Sequence, residues 1–210
     1  MITATVRGPP SVLLLGVVRG LREEAVATAA ELDRFAPEAV GLALSHEELR
    51  SLVEYFGDVV AEPLVPLSAT ELNEVRGLVR FGEVGVPNPS IVAAISWARA
   101  GGVPAAPLDP SDEDSATLFT EHIGYLELVR RTVRENRLGR SPPKPSTADA
   151  FAVAWDREVG RGRGSRRFAA ARDAHAAGEV RRLGEGRSRI AVLLDRERFE
   201  AVRALLERPS

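Results

Sequence analysis

Four short apolar runs, at 12–18, 40–44, 103–108 and 189–194, constrain this chain more than any other feature. Each is bounded by capping or turn residues and reads as a buried strand. Helical signals lie between them. Ala25, Ala29, Leu32 and Ala36 recur at helical spacing until Pro37 closes the segment. Ser45 with Glu48 forms a capping box that opens a helix ending at Gly57, and Ser68 with Glu71 opens another that runs to about Phe81-Gly82. Pro87-Asn-Pro89 begins a helix that reaches Ala100 and stops at Gly101-Gly102. Strands separated by helices require parallel crossovers, so the expected fold class is α/β, a mostly parallel sheet of about four main strands flanked by helices. The run at 103–108 contains Pro104 and Pro107 and belongs at a sheet margin.

The stretch from about 112 to 185 carries no strand signal and forms a helical insertion before the last strand. One long helix is expected over 115–137, with Leu118, His122, Tyr125, Val129 and Val133 along one stripe. Helices over about 147–159 and 166–183 follow, separated by Gly160-Arg-Gly-Arg-Gly164. The insertion is expected to pack as an arm or lid over the carboxyl edge of the sheet. A last helix places Phe199, Val202 and Leu206 on one face. Only 140–146, with three prolines, resembles a linker, and no internal repeat is present. Residues 1–210 therefore read as one domain, long enough to bury a sizeable core.

Composition removes several chemistries. Hydrophobic residues make up 44% and charged ones 28%, the balance of a soluble globular protein. Cys is absent, which excludes disulfides, thiolate metal sites and cysteine nucleophiles. Of 28 basic side chains, Lys144 alone is a lysine, and it sits in the Pro-Pro-Lys-Pro run at 142–145. Schiff-base and P-loop chemistry have no suitable residue. A net charge of −2 offers no global attraction to nucleic acid or anionic membrane. The apolar run 12–18 is too short to span a bilayer and is followed by Arg19 and Arg22 in place of a cleavage site. A cytoplasmic location is the expectation.

The isolated motifs have modest content. His46-Glu-Glu-Leu-Arg50 opens like a zinc-protease helix but lacks the second imidazole, and it reads as a helix start with acidic residues at its N-terminus. His122 reads as a packed core histidine, and the three histidines have no ligand spacing. Asp112, Glu113 and Asp114 read as helix-capping residues, whereas Asp109 occupies a strand end, where α/β proteins keep functional groups. The same argument selects Arg19, 45–47 and 195–197. The run Arg157, Arg161, Arg163, Arg166 and Arg167 is diluted by Asp156 and Glu158, and reads as a solvated loop or ion-pair network rather than a nucleic-acid grip.

Taken in order, several of these segments resemble the TraB family, which includes the pheromone-shutdown proteins and belongs to a Tiki-like group of metal-dependent hydrolases. Val12-Leu-Leu-Leu-Gly16-Val-Val-Arg19 resembles the family's opening strand, which ends in Gly-x-x-His. The segment 37–45 is similar to its second strand, 102–109 to its third, and Arg172-Asp173-Ala-His-Ala-Ala177 to the helix carrying its Arg-Asp-x-x-Met-Ala sequence. Leu194-Asp-Arg-Glu197 stands where a second Gly-x-x-His is expected. The departures matter as much as the matches. Arg19 replaces the first histidine, Ala43 the glutamate of the second strand, and Glu197 the second histidine. The resemblance therefore implies a divergent member that has lost the family's imidazoles and, with them, metal-assisted hydrolysis. No metal and no cofactor are expected.

The resulting expectation is a non-catalytic domain with a binding or regulatory role. Its strand-end cleft presents Arg19, Arg172 and Arg50, with Asp109 and Asp195 opposite. The cleft either closes as an ion-pair network or clamps a small anion, a carboxylate-bearing peptide or a protein partner. The alternative is a hydrolase with an altered, metal-independent site, using Asp109, Asp195 or Glu197 as general base and the arginines for an oxyanion. Arg172 faces the apolar side of its helix and must meet a carboxylate, with Asp109 and Asp195 as candidates, or a ligand anion.

Overall fold

The computed structural model describes residues 1–55 and 69–208. Among these, five strands and nine helices follow in the order β1 (Ile2–Val6), β2 (Ser11–Val17), α1 (Glu23–Phe35), β3 (Val40–Leu42), α2 (His46–Tyr55), α3 (Ala69–Leu78), α4 (Pro89–Ala100), β4 (Ala105–Pro107), α5 (Asp112–His122), α6 (Tyr125–Arg140), α7 (Ala148–Val159), α8 (Arg163–Gly184), β5 (Arg189–Asp195) and α9 (Phe199–Leu206). The strands form one sheet, ordered β1-β2-β5-β3-β4. β2, β5, β3 and β4 are parallel, and β1 lies antiparallel to β2. The class is α/β with a mostly parallel sheet, and β4 holds the margin that its prolines require.

The strand count is five, not four. β1 alternates, with Ile2, Ala4 and Val6 against the core and Thr3 and Thr5 exposed. That half-buried pattern of an edge strand is weaker in sequence than the continuous runs of strands covered on both faces.

Side-chain alternation in β2 and β5 divides the core into two layers. Leu14, Ile190, Val192 and Leu194 meet Ala176, Ala177 and Val180 of α8 and Phe199 and Val202 of α9. Leu13, Leu15, Ala191 and Leu193 meet Leu32 of α1 and Ile91, Ala94 and Ile95 of α4. A third cluster forms beyond the strand ends, where Val18 and Leu21 pack under Leu78 of α3, Leu138 of α6 and Phe151, Trp155 and Val159 of α7.

The insertion departs from the sequence expectation in two ways. First, the long helix over 115–137 is two helices, because buried Ile123 is extended and Gly124 starts α6. Tyr125, Val129 and Val133 of the expected apolar stripe are exposed, and His122 is half-buried rather than enclosed. Second, α8 is not a lid along its length; its second half covers a face of the sheet.

The Gly160–Gly164 run now has a physical reason. The Glu127 carboxylate of α6 accepts hydrogen bonds from Gly164 N (2.9 Å), Ser165 N (2.7 Å) and Ser165 Oγ (2.9 Å), capping α8 from a distant helix. A Cβ at Gly162 would collide with that carboxylate, and one at Gly164 with the His122 carbonyl oxygen. α8 consequently begins at Arg163, earlier than 166.

The Ser45–Glu48 capping box forms as read: Ser45 Oγ accepts from Glu48 N (3.1 Å) and the Glu48 carboxylate from Ser45 N (2.8 Å). The second box, at Ser68, and the helix stop at Gly57 lie outside the described residues. No helix among the described residues is long and apolar enough to cross a membrane.

Candidate functional site

Parallel strands bring their carboxyl ends to one edge, and the chain leaves three of the four with a charged residue, β3 running on into Ala43-Leu44-Ser45. Arg19 follows β2, Asp109 follows β4, and Asp195 closes β5. The turn after β5 is tied to β2 by Arg196 N donating to the Val17 carbonyl (2.8 Å), and Arg198 N donates to the Asp195 carbonyl (3.0 Å). That turn aims Arg198 under the sheet edge instead of into solvent.

Two ion-pair assemblies result. In the first, Arg19 grips Asp195 as a fork, with Nη2 to Oδ2 at 2.6 Å and Nε to Oδ1 at 3.4 Å. The Asp195 pull, reinforced by Glu197 and Glu74, raises the Arg19 pKa well above its ordinary value. Burial alone would push the Asp195 carboxyl up, but the Arg19, Arg198 and Arg172 guanidiniums outweigh it and hold it below the usual range. In the second, Asp109 receives Arg172 Nη2 (2.6 Å) on Oδ2 and Arg198 Nη1 on Oδ1 (2.7 Å) and Oδ2 (3.0 Å). Arg198 Nε donates to Asp173 Oδ1 (2.8 Å) and completes a chain Arg172–Asp109–Arg198–Asp173. Arg198 is 8% exposed, and burial would lower its pKa, yet Asp109 and Asp173 raise it beyond the ordinary value.

Four of the five residues selected in the sequence meet at this edge. Arg172 pairs with Asp109, one of its two expected partners, whereas Asp195 takes Arg19. Arg50 does not join them: it is exposed on α2 and lines neither cavity of the cleft. Arg198 was not among the selected residues, although it carries the centre of the network. The signal was present, since it stands three residues past a strand-end aspartate, just beyond the window 195–197.

Beside the ion pairs the edge opens into two adjoining cavities that share Arg19, Glu71, Glu74, Arg172 and Asp195. One, of about 490 Å³, has an apolar wall of Leu44, Leu52, Val75, Val86, Pro87 and Ile91. The other, of about 540 Å³, lies under the helical insertion and is lined by Trp155, Asp156, Glu197 and Arg198. Glu197 and Glu74 stand in the field of Asp195. Burial first, then the Asp195 charge, pushes the Glu197 carboxyl up to about 8. Burial likewise raises the Glu74 carboxyl to about 7, against the pull of Arg19. Asp156 is also raised, by burial and by Asp195 and Asp173.

The chemistry of the lining follows. Each of Arg19, Arg172 and Arg198 is already committed to a carboxylate, while Glu47, Glu48 and Asp112 add further carboxylates to the lining of the first cavity. An anion entering here must displace a bound carboxylate; a cation meets none of that cost. Among the described residues no cluster of three or more His, Asp or Glu side chains has metal-binding geometry. No protein-family model matches the chain, and no curated protein matches it. The TraB resemblance therefore rests on the segments quoted above.

Proposed function

We propose that this chain is a divergent TraB-like domain that binds a small ligand in its strand-end cleft and has no metal-assisted hydrolytic activity. The observation that carries the reading is the commitment of the cleft arginines to Asp195 and Asp109 beside a cavity of about 490 Å³ that stays open. Ligand pockets span about 300–1,000 Å³ and combine an apolar wall with a few convergent polar groups. Arg19 and Glu197 stand at the two positions where the resemblance implies histidines, and both line the same cavity. A guanidinium locked onto a carboxylate cannot hold a divalent ion.

The lining favours a ligand with an apolar body and a cationic end over the small anion that the sequence reading also allowed. Hexylammonium and inorganic phosphate separate the two. If the cleft takes cations, hexylammonium raises the melting temperature in a saturable manner, the rise is lost in Val75→Asn, which makes the apolar wall polar without adding charge, and phosphate has no effect. Stabilisation by phosphate that disappears in Arg172→Ala would instead establish the anion clamp.

A hydrolase with an altered site is the second reading, and one observation favours it. Asp109 and Asp195 are consumed by ion pairs, but Glu197 carries a carboxyl at about 8 in the cavity, protonated at neutral pH and able to serve as a general acid. Ester hydrolysis whose rate falls above pH 8, and whose pH dependence vanishes in Glu197→Gln, would support it.

A further inference from the structure

α6 presents its outer face to solvent with an unusual content. Tyr125 is 78% exposed, Leu126 70%, Val129 45% and Val133 63%. Leu126, Val129, Val133 and Asn136 follow the spacing i, i+3, i+7, i+10, which draws one straight seam along a helix. This is a pattern made to receive a second helix, narrower than the broad apolar face that a helix turns to its own core.

The charge beside the seam is of one sign. Arg130 and Arg137 flank it, four residues after Leu126 and Val133, and both are exposed. Among the described residues neither is paired with a carboxylate. The acidic residues of α6 point elsewhere: Glu127 caps α8, and Glu135 pairs with Arg131 at 2.8 Å on the side that lines the cleft. The opposite flank carries Tyr125 and Thr132, which are exposed and uncharged.

We infer that α6 is a docking helix for a helix of a partner protein, one with an apolar seam flanked by glutamate or aspartate. Flanking positions set partner choice in helix pairs through charge, and Arg130 and Arg137 select carboxylates. Antiparallel self-pairing would set arginine against arginine. The site is independent of the cleft, because it lies on the opposite face of α6 from Arg131 and Glu135.

The test uses the full chain and two synthetic helical peptides, each of three heptads with leucine at the seam. One carries glutamate at every flanking position and the other lysine. Fluorescence anisotropy with the wild-type protein should show the glutamate peptide binding at least tenfold more tightly. The double variant R130E/R137E should reverse the preference, and Val133→Asp should abolish both interactions, while circular dichroism stays unchanged because these side chains are exposed. Equal binding of the two peptides, or none, overturns the inference. So does a wild-type dimer in sedimentation that Val133→Asp dissociates, which makes the seam a self-contact. Binding to phosphatidylserine vesicles lost in the same variants, without peptide discrimination, would assign the face to a membrane surface and equally overturn it.

Discussion

Arg198 reaches Asp109 through a single nitrogen, Nη1, that contacts both carboxylate oxygens at 2.7 and 3.0 Å, while its Nε holds Asp173. One buried guanidinium thus bridges two carboxylates, one from a strand end and one from α8. Asp109 in turn is shared with Arg172, which remains 30% exposed. The two arginines on the same carboxylate are therefore unequal, and mutation should separate them.

Arg198→Ala leaves buried Asp173 without its hydrogen-bonded counter-charge and Asp109 with Arg172 alone, and should cost about 3–5 kcal/mol. Arg172→Ala removes one hydrogen bond to a carboxylate that Arg198 still serves, and should cost about 1.5–3 kcal/mol. Urea unfolding of both variants gives the ranking. A larger loss for Arg172→Ala would mean that Asp109 depends on the exposed partner.

Glu74 and Glu197 predict a stability that declines on the alkaline side. Both carboxyls titrate higher in the folded chain, at about 7 and about 8, than their ordinary value of 4.5. Between those values the folded state binds more protons than the unfolded one, so unfolding free energy falls as pH rises. The decline should run from about pH 4.5 to about pH 8 and then level off. Asp195 has the opposite sign, since its depressed pKa contributes stability that is lost only in acid. Melting temperatures from pH 5 to 9 should fall for the wild type and flatten in Glu74→Gln with Glu197→Gln. An upward slope in the wild type would contradict the assignment.

The distant cap on α8 predicts a specific intolerance. Gly164→Ala places a methyl group against the His122 carbonyl, where backbone and not a flexible side chain must give way, and overpacking of this kind costs about 1–3 kcal/mol. The Glu127 carboxyl is held below its ordinary value by hydrogen bonds from Ser165 N and Gly164 N. Its contribution is complete above pH 4.5 and fades as pH falls through the depressed value. Glu127→Gln should remove that acid-side dependence and loosen the start of α8 in hydrogen exchange.

Phe151 tests whether the insertion is integral to the domain. It is fully buried, touches Trp155 and Phe81 at ring-centroid distances of 5.8 and 5.9 Å, and joins α7 to Val18 and Leu21 beyond β2. Phe151→Ala should cost about 3–5 kcal/mol. It should shift the strands and the insertion together, in one transition by both circular dichroism and, in a Trp97→Phe background, Trp155 fluorescence. Two separated transitions would show an independently folding insertion.

The amino-acid sequence by itself determined the α/β class, the four parallel strands, the Ser45–Glu48 cap and the charged residues at the strand ends. These depend on local periodicity and on the rule that parallel strands share one carboxyl edge, and both can be read within a few residues. The fifth strand escaped because an edge strand alternates and buries only one face. The stripe Tyr125–Val129–Val133 reads identically whether a helix faces a core or solvent; only the corner at Ile123-Gly124 turned it outward. The choice of Asp109 for Arg172 and of Asp195 for Arg19, and the place of Arg198 between Asp109 and Asp173, were decided by tertiary structure alone. Opposite charges pair by distance, and strand order, α8 and the turn after β5 set those distances between residues far apart in the chain.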